Sequence, residues 1–89
     1  MATRQSVENC IQQCEDALRS ATDQYREAST QEHDNDLDFI QSQQELQSAL
    51  NNVETLANSS NTQQREQLLR MKLQLDQMRH NMTVLDHDR

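Results

Sequence analysis

The chain contains no glycine and no proline, and no other feature limits its fold as strongly. Strands joined by tight turns need residues that accept positive φ or a preset φ at the corners. A chain without either residue has to make its connections some other way. Gln, Glu, Leu, Arg, Ala and Met are abundant instead, and all are good helix formers. The expectation is an all-α protein. Eighty-nine residues suffice for a single domain spanning 1–89. The apolar share is 33 %, against about 45–50 % in ordinary domains. Tyr25 and Phe39 are the only aromatic residues. Any core is therefore thin, and a self-associating surface would help it, which leaves room for a homodimer.

Apolar residues recur with steps of four and three in three segments, the spacing of a packed helical stripe. The first segment, about 6–30, places Val7, Ile11, Cys14, Leu18, Ala21, Tyr25 and Ala28 on one face. The second, about 35–57, does the same with Phe39, Leu46, Leu50, Val53 and Ala57, interrupted by Gln43. The third, about 62–86, uses Leu68, Met71, Leu75, Met78, Met82 and Leu85. Short connections make neighbouring helices antiparallel, which predicts a three-helix bundle with coiled-coil-like heptad packing. One register brings every stripe onto a stripe. Its layers are Ile11/Val53/Leu68, Cys14/Leu50/Met71, Leu18/Leu46/Leu75, Ala21/Gln43/Met78 and Tyr25/Phe39/Met82. The same register sets Glu54 against Arg65, Gln47 against Lys72 and Ala17 against Ala49. Gln43 is the anomaly: a polar residue in a core layer needs a partner, and the Tyr25 hydroxyl one turn away is a candidate that would fix the register.

Polar stretches at 31–36 and 58–61 separate the segments. Ser60 with Gln63 fits a capping box, and Asp34, Asp36 and Asp38 suit the start of the second helix. Because Asn58-Ser59-Ser60-Asn61 holds no hard breaker, the alternative is one long helix through segments two and three.

The net charge of −7 argues against nucleic acid and anionic membrane as partners. No apolar run approaches the ~20 residues of a membrane span, and no secretory opening is evident. The expected location is the cytoplasm, where Cys10 and Cys14 would be reduced thiols. Nothing resembles a catalytic site: the chain has no glycine-rich phosphate loop and no glycine for a nucleophile elbow. It is not expected to be an enzyme, and no cofactor is expected.

Three groups of residues could form a site, and each also has a purely structural reading. Cys10 and Cys14, four apart on one helical face, would offer two thiolates to zinc, but small apolar filling suits buried cysteines as well. Asp34, Asp36, Asp38 and Glu45 occupy positions 1, 3, 5 and 12 of a calcium loop, yet Phe39 stands where that loop needs glycine. His33, Asp34, His87 and Asp88 come to one end of the bundle and would suit a weak transition-metal site. Arg65, Lys72 and Arg79 recur every seven residues, which could be read as a phosphate-binding stripe, but flanking positions of this kind usually carry pairs between helices.

Met1-Ala2-Thr3-Arg4-Gln5-Ser6-Val7, Cys14-Glu15-Asp16-Ala17-Leu18-Arg19 and Gln63-Gln64-Arg65-Glu66-Gln67-Leu68 together resemble the YtzC-like family of short proteins from Bacillus and relatives. The resemblance implies a cytosolic bacterial protein and brings no site residues with it. The functional expectation is an interaction or regulatory module that binds a protein partner without catalysis. The alternative is a metal- or thiol-responsive protein that uses Cys10/Cys14 or His33/His87.

Overall fold

A computed structural model describes residues 3–28 and 36–87, with side chains throughout except those of Asp36, Asp86 and His87. Three helices run in order, α1 Arg4–Ala28, α2 Asp36–Ala57 and α3 Thr62–His87. Each packs against the other two. Together they form an elongated all-α three-helix bundle of 46 × 19 × 14 Å.

Local chemistry sets the ends. Thr3 caps α1: its hydroxyl accepts from the Ser6 amide at 3.0 Å and meets the Ser6 hydroxyl at 2.7 Å. The helix therefore begins two residues before the expected start. α2 and α3 are separate helices, so the fused alternative falls. The Ser60 hydroxyl turns back to donate to the Leu56 carbonyl at 2.6 Å, and the Ser59 and Ser60 amides donate to Leu56 and Ala57. Those bonds close α2. The capping box that opens α3 sits one residue later than expected. Asn61 Oδ1 accepts from the Gln64 amide at 2.8 Å, and Gln64 Oε1 accepts from the Asn61 amide at 3.2 Å. Ser60 is buried instead. Its hydroxyl already serves α2, so the cap passes to the next polar residue.

The core follows the stripes. Val7, Cys14, Ala21 and Ala28 of α1 are buried with Phe39, Leu46, Leu50 and Val53 of α2 and Leu68, Met71, Leu75 and Met82 of α3. In the central layer Leu46 and Leu75 are wholly buried and Leu18 packs half-buried against the core. Hydrogen bonds between α1 and α2 mark the direction of α2. Asn52 donates to Gln13 Oε1 at 2.7 Å, and Ser42 and Ser20 share a bond of 3.2 Å, so α2 descends as α1 rises.

Those two bonds bracket Ala17 and Ala49, both buried. Small side chains on both helices let the backbones approach along this seam. As a result Cys10 and Ala17 are buried, while the larger Ile11, Leu18 and Tyr25 on the other edge of the α1 stripe are only half-buried. Gln43 is not the buried polar residue of α2. It is half-buried, and the neighbouring Ser42 is the one enclosed, with its hydroxyl satisfied by Ser20.

Candidate functional site

The thiol pair lies inside the fold. Cys10 and Cys14 are both free and buried, one turn apart on the α1 face that meets α2. Burial pushes both thiols up from their ordinary range. Cys14 goes to about 12, helped by the Cys10 beside it. A neutral buried thiol is a poor nucleophile and a poor metal ligand. Cys10 alone reaches an opening, a shallow furrow between α1 and α2 that Ser6, Asn9, Gln13 and Asn52 also line. Among the described residues no three His, Cys, Asp or Glu side chains come together in a way that could hold a metal ion.

Of the histidine end, His33, Asp34 and Asp88 lie outside the described residues. His87 closes the backbone of α3, and its side chain is not described. The calcium-loop pattern falls on helix: residues 36–45 belong to α2, and Phe39 is 1 % exposed in the core. A segment wound at 3.6 residues per turn cannot wrap Asp38 and Glu45 around one ion. His80 is exposed on α3.

The basic ladder is spent within the bundle. Lys72 Nζ is 3.4 Å from Glu54 Oε1. Arg79 donates to Gln47 Oε1 at 2.9 Å and pairs with Asp76 at 3.5 Å. Arg65 donates to the Ala57 and Ser60 carbonyls at 3.2 and 3.4 Å, where cationic groups suit the negative end of α2. The expected partners were Arg65 for Glu54 and Lys72 for Gln47. Both contacts are displaced by one heptad.

One feature lies off the stripes and was missed by reading them. Leu73 is 71 % exposed, and Leu69 and Val84 are each 45 % exposed. At about 100° per residue these three fall within an arc of about 60°. That arc is on the side of α3 opposite the buried Leu68, Leu75 and Met82. Glu66 and His80, both exposed, share it. The third helix thus carries two apolar faces, one buried and one facing solvent. Leu69 and Leu73, four apart, are the signal that the sequence offered. Leu37 and Ile40, 72 % and 48 % exposed, add apolar surface near the start of α2.

The family model described as "Protein of unknown function (DUF2524)" matches residues 1–84. The uncharacterized protein YtzC of Bacillus subtilis (strain 168) is 49 % identical over 87 residues, which cover 98 % of this chain and 96 % of that protein. No solved structure matches. The chain belongs to the DUF2524 family. Among the described residues no helix is long and apolar enough to cross a membrane.

Proposed function

We propose that this DUF2524 protein is a non-catalytic interaction module of the cytoplasm and that the outward face of α3 is its contact surface. The observation that carries the reading is the exposure of Leu73, 71 %, with Leu69 and Val84 on the same arc. Scattered surface leucines are ordinary. Leu73, on the far side of a helix that already buries a full core face, adds little to the fold of one chain. Such a stripe is the form in which one helix presents anchors to another protein. The thiol-responsive alternative has less support, because both sulfurs are buried and their ionisation is suppressed.

Site-specific photocrosslinking in Bacillus cells tests the proposal. A photoreactive residue at position 73 is expected to give discrete covalent protein adducts, and the same residue at Glu15, on exposed α1, is not. Equal adduct patterns from both positions, or none from 73, would sink the reading.

A further inference from the structure

We infer that Cys10 and Cys14 form a two-thiol site for trivalent arsenic, taken up as uncharged arsenous acid through the furrow between α1 and α2. The site is separate from the outward face of α3 and uses none of its residues.

Three properties of the pair select this ligand. The first is spacing. Residues four apart share one face of a helix, and the two thiols already share a hydrogen bond. Their sulfurs therefore stand close together. Trivalent arsenic is pyramidal and holds two sulfurs side by side. Copper(I), also a soft ion, binds two sulfurs on opposite sides and would prise the pair apart. The second property is number. Among the described residues no third His, Cys, Asp or Glu joins the pair to hold a metal ion, and a structural zinc needs four ligands. Arsenic needs only the two sulfurs and keeps one hydroxyl. The third property is charge. Both thiols are buried, so a complex that carries net charge is costly there.

The arsenic complex carries none. Each sulfur forms a bond to arsenic, one arsenic–oxygen bond breaks for each, and each thiol proton leaves with the departing hydroxide as water. Two waters are released and arsenic stays trivalent. The neutrality that disfavours zinc at this pair is thus what suits it to arsenous acid. Few thiolates form in the buried pair, so capture is slow.

The furrow supplies access. Its volume is about 430 Å³, and Cys10 is the cysteine that lines it. Cys10 is therefore captured first, and Cys14, one turn along α1, closes the ring. The remaining hydroxyl faces the furrow, where Asn9, Gln13 and Asn52 offer carboxamides.

Native mass spectrometry of the full chain, brought to equilibrium with sodium arsenite, tests the site. A phosphine keeps the thiols reduced without adding a competing dithiol. Equimolar arsenite should give one arsenic per chain, at the mass of arsenous acid less two waters. Cys10→Ser and Cys14→Ser should each weaken binding about 100-fold, the loss expected when one arm of a chelate is removed. The same titration in urea should give weaker binding, because the unfolded chain must first bring its two sulfurs together. No adduct on the folded chain overturns the inference. So does tighter binding in urea, or an adduct that either serine variant leaves unweakened. Circular dichroism shows which variants keep their helices. Where one does not, the comparison of folded and urea-unfolded wild-type chain decides alone.

Discussion

The Lys72 ammonium lies 3.4 Å from the Glu54 carboxylate, seven residues further along α3 than the Arg65 that the heptad pattern pairs with it. The cause is the tilt of side chains toward the N-terminus of their own helix. In an antiparallel pair, Lys72 leans toward the α2–α3 turn and Glu54 leans away from it, so their heads converge. Arg65 and Glu54 lean apart. Arg79 and Gln47, at 2.9 Å, obey the same rule one heptad on. A double-mutant cycle on Lys72 and Glu54 should give a coupling of about 0.2–1 kcal/mol, the range for exposed pairs. The Arg65–Glu54 cycle should give none.

Leu46 is wholly buried between α1 and α3, in a layer with Leu75 and the half-buried Leu18. Leu46→Ala should cost about 2–5 kcal/mol in urea denaturation, the range for emptying a packed site. Leu73→Ala, on the solvent side, should stay within about 0.5 kcal/mol in dilute protein.

Asn61 and Gln64 satisfy each other's amides at the start of α3. Asn61→Ala should lower stability by about 1 kcal/mol. If Ser60 were the cap, Ser60→Gly would act through the start of α3. Its hydroxyl instead bonds Leu56, so amide exchange in that variant should quicken at the end of α2.

Cys14 holds its proton up to about 12 in the folded chain, against an ordinary 9.0. In the unfolded chain the thiol therefore ionises first. Above about pH 9 the unfolded state binds fewer protons, so stability falls as pH rises, and the fall is complete near pH 12. Thermal melting of the protein and of Cys14→Ala across that range should give curves that converge as pH rises. Parallel curves would assign the slope to other groups.

The sequence made much of this fold legible because period and helix former agree over long stretches. Phe39, Leu46, Leu50 and Val53 sit at the predicted spacing, and all are buried. Where the pattern misled, a competing local interaction had won. Gln43 yields the interior to Ser42 because the alanine seam draws α2 closer to α1 along that edge. The cap moves from Ser60 to Asn61 because four adjacent polar residues at 58–61 all suit the role, and only the fold decides which hydroxyl is already engaged. The solvent-facing apolar residues of α3 escaped for a different reason: a pattern of one stripe per helix sets aside apolar residues that lie off it. Leu69, Leu73 and Val84 become meaningful only when the buried side of α3 is fixed by Leu68, Leu75 and Met82.

Solvent relaxation enhancement of leucine methyls, measured by NMR with a soluble paramagnetic agent in dilute protein, puts the two-faced α3 to the most direct test. Leu68 and Leu75 methyls should keep their relaxation rates while those of Leu73 rise steeply. Equal enhancement at Leu73 and Leu75, or a protected Leu73 in the monomer, would contradict it.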